Sequence, residues 1–217
     1  MSTSRGVIFD LDGTLIDSMP LVLRSYAHAL APSHPSLTPE EILAGLGGPP
    51  ERYFNDLIPD PAVAAEALRR LQDYLAEHRD AIRPFVGALP LLTELRAAAI
   101  AVGLWTGRER ESTAWLLKEH GFADWVQTCV CGDDLASHKP DPAGLQAALD
   151  HLGVNIADAV FVGDADVDVL AGAALGVRTL LITHERVPPE KVRMKAWKVV
   201  SAPAEAYAVL RNELLAV

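Results

Sequence analysis

Residues 7–14, near the start of the chain, are Val7-Ile8-Phe9-Asp10-Leu11-Asp12-Gly13-Thr14. The first three form a continuous run of β-branched and aromatic side chains, which is typical of a strand buried on both faces. Asp10 and Gly13 end the run, so two carboxylates, those of Asp10 and Asp12, stand where the strand stops. The stretch predicts a buried strand that delivers acidic groups to one edge of a sheet.

The chain after Arg83-Pro84-Phe85-Val86-Gly87 alternates helical and extended patterns. We expect helices at 88–99, 109–120, 142–152, 167–175 and 203–214, and strands at 100–105, 126–131, 159–162, 177–182 and 198–200. Alternating units of this kind form a parallel sheet with helices on both faces. The predicted fold class is α/β, with a doubly wound, Rossmann-like parallel sheet.

Residues 17–83 have helical periodicity and contain no convincing strand. Helices are expected at 21–30, after the capping-box sequence Thr38-Pro39-Glu40-Glu41, and at 51–58 and 61–79. We therefore expect an α/β core made of residues 1–16 and 84–217, with a smaller α-helical domain, residues 17–83, inserted after the first strand.

Composition excludes several classes of protein. The chain has 217 residues, 19 Lys and Arg against 29 Asp and Glu, and a formal net charge of −10. This balance disfavours general binding to nucleic acid or to anionic membranes. Its longest apolar runs fall short of the ~18 residues of a membrane span. Two cysteines spaced C-x-C, Cys129 and Cys131, suit a reducing compartment. We expect a soluble, cytoplasmic monomer or homodimer.

Ligands of such sheets bind beyond the carboxyl ends of the strands, and residues able to do chemistry follow four of the predicted strands. They are Asp10 and Asp12, Thr106, Lys139, and Asp164 with Asp168. One carboxylate of a pair can attack while the other transfers protons. We expect all of these side chains to converge on one crevice.

The acidic loop Gly163-Asp164-Ala165-Asp166-Val167-Asp168 has D-x-D-x-D spacing. A calcium loop needs a Gly and a Glu where this chain has Val169 and Leu175, so the loop better suits Mg²⁺. Asp166 is expected to cap the following helix. A phosphate at this edge also needs a cation and donors, which Lys139 and Thr106 can supply. Gly107 would let a ligand approach closely, and Arg108 could form either a salt bridge or a phosphate contact.

The string Asp10 to Ser18, together with Thr106, Lys139-Pro140 and Gly163-Asp164 with Asp168, resembles the four ordered motifs of the haloacid dehalogenase (HAD) superfamily. The resemblance spans nearly the whole chain and is nearest to the phosphoglycolate phosphatase and β-phosphoglucomutase groups. It implies that residues 17–83 form a helical cap.

The same resemblance implies a role for each motif residue. Asp10 would be the nucleophile that forms an aspartyl-phosphate, and Asp12 would protonate the leaving alkoxide and then activate water. Thr106 and Lys139 would hold phosphoryl oxygens. Mg²⁺ would be bound by Asp10, the backbone carbonyl of Asp12, and Asp164, with Asp168 in support.

These implications favour a Mg²⁺-dependent phosphatase acting on a small phosphorylated metabolite. A phosphomutase of the β-phosphoglucomutase type and a non-catalytic HAD-like binding protein remain open as alternatives. A phosphonatase is disfavoured because residues 17–83 contain no lysine, and a dehalogenase is disfavoured by the carboxylate of Asp12. Substrate choice would fall to the cap, where the turn Gly47-Gly48-Pro49-Pro50 leads to Arg52, a candidate cation for a second anionic group.

Overall fold

The computed structural model describes residues 5–46 and 50–215. In chain order the first elements are β1 (Gly6–Phe9), β2 (Ile16–Asp17), α1 (Met19–Leu30), α2 (Pro39–Gly45), α3 (Pro50–Leu57), α4 (Pro61–Glu77) and β3 (Arg83–Pro84). There follow α5 (Ala88–Ala97), β4 (Ala101–Trp105), α6 (Arg110–Glu119), β5 (Thr128–Val130), α7 (Ala143–Leu152), β6 (Ala159–Gly163), α8 (Asp166–Leu175), β7 (Arg178–Ile182), α9 (Glu190–Arg193), β8 (Lys198–Val200) and α10 (Pro203–Leu210).

Strand β1 lies inside a six-stranded parallel sheet of order β5-β4-β1-β6-β7-β8. All four β1 residues are buried, as the apolar run predicts. The chain runs outward from β1 in both directions, so the gap between β1 and its neighbours is a topological switch point, where ligands of such sheets bind. Helices flank the sheet, and the predicted doubly wound α/β fold is confirmed.

Apolar side chains from the sheet and from α7 form one core. Ile8 of β1 and Phe161 of β6 pack with Leu145 and Leu149 of α7, and Trp105 lies in the same cluster. The helix therefore covers the strands that carry the predicted site, and the positions at which those strands end are fixed by a packed interior.

The chain divides into two compact units, one containing Met1–Asp17 and Pro84–Val217 and the other Ser18–Arg83. The helical unit has its own core, built around Tyr26, Phe54 and Leu71. The predicted capping box at the start of α2 is present, because Thr38 N–H donates to Glu41 Oε2 at 2.9 Å and Glu41 N–H donates to Thr38 Oγ1 at 3.2 Å. The assignment of this unit as a cap stays a prediction.

The inserted segment leaves and rejoins the first unit at one place. The backbone N–H of Phe85 donates to the carbonyl of Leu15 at 2.9 Å, so the two ends of the insertion are held side by side. This bond closes the first unit across a long gap in sequence.

Several boundaries differ from expectation. Helix α1 begins at Met19 rather than Leu21, because Pro20 suits the first turn of a helix. Strand β5 is restricted to three residues, and α10 gives way to a π-helical turn over Arg211–Leu215. Among the described residues, none of the helices is both long and apolar enough to cross a bilayer.

The C-terminal helix is joined to the loop after β1 by one buried hydrogen bond. Tyr207 Oη–H donates to the carbonyl of Thr14 at 2.6 Å, and both residues are buried. We expect Tyr207→Phe to lower the free energy of unfolding by ~1–3 kcal/mol, because the Thr14 carbonyl loses this donor. Urea titration followed by circular dichroism measures the loss. Tyr74→Phe, which keeps the ring that stacks on His28 and His78, is the control. Equal midpoints for the two variants would contradict the prediction.

Candidate active site

Asp10 stands one residue beyond β1, at the centre of the sheet. Phe9 pairs with Leu104 on one side and Val162 on the other, and the N–H of Asp10 continues the ladder to the Val162 carbonyl at 2.8 Å. Thr106 follows β4 and Asp164 follows β6, so the register places both beside Asp10. The convergence expected from the sequence is therefore produced by strand pairing.

Three carboxylates meet at this edge of the sheet. Oxygen atoms of Asp10, Asp164 and Asp168 all lie within 4.8 Å of one another. Asp10 and Asp168 are buried. Such a group repels itself strongly in a medium poor in water, so it needs positive charge nearby.

Two glycines make room for these carboxylates. Gly13 has a φ of +72°, and a Cβ atom there would lie 2.2 Å from Asp164 Oδ2. At Gly163 a Cβ atom would lie 2.3 Å from Asp168 Oδ2. Any larger residue at either position would push a carboxylate out of the group, which explains glycine in both motifs.

Lys139 supplies positive charge inside the group. Its Nζ lies 2.7 Å from Asp10 Oδ1 and 2.8 Å from Asp168 Oδ1, and its side chain is only 11% exposed. The ammonium also lies 4.9 Å from the centre of the Trp105 ring. The loop between β5 and α7 thus positions one positive charge between two of the three aspartates.

The pKa values of Asp10 and Asp164 are raised because the positive charge at the site does not fully offset burial and the negative charge of the aspartates. Burial raises the pKa of Asp10 to about 7, against the opposing effect of Lys139 and with a further increase from Asp168. Burial also raises the pKa of Asp164 to about 8, and the charges of Asp10 and Asp168 add to this increase. Burial acts to lower the pKa of Lys139, but Asp10 and Asp168 outweigh it and hold that pKa above its ordinary value.

This donor set fits a hard divalent cation. It consists of carboxylate oxygens, and two of its members ionise reluctantly in the absence of further positive charge. Asp10, Asp164 and Asp168 could therefore hold such an ion. The carboxylate of Asp12 is not part of this triad.

Thr106 and Gly107 border a pocket that also reaches Lys139. Thr106 is buried, and its Oγ1 accepts a hydrogen bond from the N–H of Arg108 at 3.2 Å, which leaves its own O–H able to donate. A Cβ atom on Gly107 would meet nothing within 4 Å. Open space therefore lies beside a hydroxyl, as the approach of a ligand requires.

Arg108, for which the sequence left two roles open, forms a salt bridge with Asp12. Its Nε lies 3.0 Å from Asp12 Oδ2 and its Nη2 lies 2.5 Å from Asp12 Oδ1, a bidentate pair between residues 96 positions apart. Burial acts to lower the pKa of Arg108, but Asp12 and then Asp10 raise it above its ordinary value.

Other predicted residues lie elsewhere. Arg52 belongs to the helical unit, where its Nε is 3.5 Å from Asp56 Oδ2 and both side chains are exposed. Gly47, Gly48 and Pro49 of the predicted turn lie outside the described residues. The expectation for Asp166 was wrong: it is the first residue of α8 and pairs with Arg186 at 2.6 Å, whereas Asp168 reaches back to the N–H of Ala165 at 2.9 Å.

Three residues around the site were not predicted from the sequence. Ser112 Oγ accepts a hydrogen bond from Arg108 Nη1 at 3.0 Å. His184 Nε2 lies 2.7 Å from the carbonyl of Gly13, and Arg186 donates to the carbonyl of Asp164. The short motif rules offer no signal for them, because they act as supports from neighbouring segments.

Comparison with known proteins agrees with this geometry. The family model described as haloacid dehalogenase-like hydrolase matches residues 7–182. The chain belongs to this family. The resemblance seen in the four motifs is thereby confirmed, and with it the expectation of a hydrolase.

Relatives of this haloacid dehalogenase-like hydrolase carry more specific names. A phosphoglycolate phosphatase of Rhodospirillum rubrum is 34% identical over 192 residues, covering 83% of this chain and 80% of its own. The pyrophosphatase PpaX of Bacillus velezensis is 31% identical over 174 residues, covering 80% of both chains. A haloacid dehalogenase-like hydrolase structure from Streptococcus pneumoniae superposes with a TM-score of 0.79 at 21% identity, covering 97% of this chain and 100% of the other, which supports the fold.

We expect Lys139 of this HAD-like hydrolase to stabilise the folded state, because its ammonium offsets the charge of Asp10 and Asp168. Lys139→Met keeps the length of the side chain but leaves Asp10 and Asp168 without their common cation. We expect the free energy of unfolding to fall by ~3–5 kcal/mol at pH 8. The loss should be smaller at pH 5, where protonation of Asp10, whose pKa burial raises to about 7, removes part of the unpaired charge.

Urea unfolding in metal-free buffer at both pH values measures this loss. Lys118→Met, an exposed lysine on α6, is the matched control. A Lys139→Met protein as stable as this control at pH 8 would show that Lys139 does not offset the aspartates.

Proposed function

We propose that this protein is a Mg²⁺-dependent phosphatase that hydrolyses a small phosphorylated metabolite through an aspartyl-phosphate on Asp10. The observation that carries the proposal is the position of Asp10: a buried carboxylate at the switch point of the sheet, bonded to Lys139 and within 4.8 Å of two further aspartates. Phosphoryl transfer depends mainly on in-line positioning and on neutralised charge, and this site supplies fixed cations and donors for both.

In the first half-reaction, a carboxylate oxygen of Asp10 attacks phosphorus while the bond from phosphorus to the leaving oxygen breaks. Asp12, in its protonated form, gives its proton to that oxygen. The ammonium of Lys139 and the hydroxyl of Thr106 hold the phosphoryl oxygens, and Gly107 leaves them room.

In the second half-reaction, water replaces the enzyme as the partner of phosphorus. Asp12 removes a proton from the attacking water, the bond between phosphorus and Asp10 breaks, and inorganic phosphate leaves. The same carboxyl group therefore acts as acid and then as base, and both aspartates return to their starting states.

Mg²⁺ would be held by Asp10, Asp164, the backbone carbonyl of Asp12 and, in support, Asp168. When bound, the ion offsets the negative charge gathered between the carboxylates and the phosphoryl group. Arg186 and His184 would support this arrangement, because they bond to the carbonyls of Asp164 and Gly13 in the loops that carry the ligands.

The relatives named above direct the choice of substrate. One is named for phosphoglycolate and one for pyrophosphate, and both compounds release a leaving group that is itself an anion. We propose a substrate of this kind, with the helical unit as the cap and Arg52 as a candidate contact. A cytoplasmic monomer or homodimer, with neither nucleic acid nor membrane as partner, stays a prediction.

Asp10→Asn tests the covalent route. The amide keeps the shape of the side chain but is a poor nucleophile, so we expect turnover of p-nitrophenyl phosphate to fall ~10³-fold or more. Phosphate release at saturating Mg²⁺ is the measurement, and Asp150→Asn, on the exposed face of α7, is the control. More than a tenth of the normal activity in Asp10→Asn would reject this nucleophile.

Conversion of β-glucose 1-phosphate to glucose 6-phosphate by the unmodified enzyme would instead indicate a mutase.

Metal binding can be tested without any substrate. Because an ion that binds only the folded state stabilises it, we expect Mg²⁺ to raise the thermal midpoint of the EDTA-treated protein. Asp164→Asn should lose most of this increase. Asp166→Asn changes the same loop outside the triad and should keep it. Equal increases in the two variants would contradict the assignment of Asp164.

A further inference from the structure

The bidentate pair between Arg108 and Asp12 conflicts with the work proposed for Asp12. Both carboxylate oxygens of Asp12 accept hydrogen bonds from one guanidinium, so the carboxylate is directed toward Arg108. An acid must instead place one of its oxygens against the leaving oxygen of the substrate. We therefore expect the pair to open when Asp12 acts on the substrate.

We propose that Arg108 is a positioning residue that holds Asp12 until an anionic leaving group takes its place on the guanidinium. This inference rests on the proposed phosphatase function and deepens it. Binding of the second anion would thereby release the Asp12 carboxylate, which takes up a proton from solvent and then passes it to the leaving oxygen. A substrate with a neutral leaving group would gain no such release.

The backbone of Arg108 and one end of its guanidinium are held by contacts that do not involve Asp12. Its backbone N–H donates to Thr106 Oγ1, its carbonyl accepts from the N–H of Gly132 at 2.8 Å, and its Nη1 donates to Ser112 Oγ. Its Nε and Nη2 each donate one hydrogen bond to Asp12. Loss of the Asp12 contact would therefore leave the arginine anchored on α6 and the β4 end.

Space and access allow an anion to compete for these donors. The side chains of Arg108 and Asp12 are 23% and 32% exposed, so the pair can be reached from solvent. The neighbouring Gly107 faces open space and borders the pocket that contains Thr106 and Lys139.

The other cations near the triad are engaged differently. Lys139 is bonded to both Asp10 and Asp168, and Arg186 pairs with Asp166 and the carbonyl of Asp164. The partner of Arg108 is Asp12, the carboxylate to which the proposed reaction assigns the proton transfers. A guanidinium fork can bind either a carboxylate or a phosphate through two hydrogen bonds. The anion of a leaving group can therefore replace the Asp12 carboxylate on Arg108.

The test compares two substrates in one set of variants. Phosphoglycolate has an anionic leaving group and ethyl phosphate has a neutral one, and both leaving oxygens need a proton. We expect the ratio of their kcat/KM values to fall roughly 10- to 100-fold in Arg108→Gln, the effect of losing a charge-assisted pair. The fall should appear in kcat as well as in KM, because Asp12 is no longer held in the variant, so ethyl phosphate gains turnover while phosphoglycolate loses a binding contact. Arg108→Lys, which keeps the charge without the fork, should restore part of the ratio.

The controls separate this proposal from its competitors. Arg110→Gln removes an exposed arginine that lies at the start of α6 and pairs with Asp134, and this variant should keep the normal ratio of kcat/KM values. An unchanged ratio in Arg108→Gln, a fall confined to KM, or a fall produced by Arg52→Gln instead would overturn the proposal. A normal enzyme that does not prefer phosphoglycolate over ethyl phosphate would also overturn it. Failure of the proposed function would be distinct, since Asp10→Asn would then retain activity.

Discussion

Electrostatic repulsion among Asp10, Asp164 and Asp168 is the constraint on which the rest of the molecule depends. Parallel strands deliver these carboxylates to one buried edge, where the raised pKa values of Asp10 and Asp164 show that burial and crowding are only partly offset. Lys139 lies between two of the carboxylates and reduces the repulsion. Gly13 and Gly163 leave space for the carboxylates, and a divalent cation is expected to bind because it would offset the remaining negative charge.

The fold was largely predictable because its signals are local and repeated. The buried run at Val7-Ile8-Phe9, the alternation after Gly87 and the capping box at Thr38 each appear where the sequence places them. The short strands β1, β5 and β8 were predicted because each consists largely of apolar or β-branched residues, whereas the short elements β2, β3 and α9 lack such a run and were missed. Their conformation is set by neighbours rather than by their own residues.

The candidate site was predictable in its parts but not in its pairings. Strand order follows from topology, so the meeting of Asp10, Thr106, Lys139 and Asp164 could be inferred from where the strands end. The bond between Arg108 and Asp12 depends on side-chain rotamers that no spacing rule determines. The misassigned cap at Asp166 has the same origin, since two aspartates of one loop compete for one helix end and geometry selects Asp168.

The hydrogen bond between Phe85 and Leu15 also has a consequence for the evolution of the inserted segment. Because the insertion begins and ends at one point, its length has little effect on the sheet, and the entropic cost of closing it grows only by ~0.6 kcal/mol with each doubling of its length. Asp10, Thr106, Lys139, Asp164 and Asp168 all lie outside the inserted segment. Mutations in that segment can therefore accumulate, or the segment can be exchanged for another, while the reactive groups keep their arrangement.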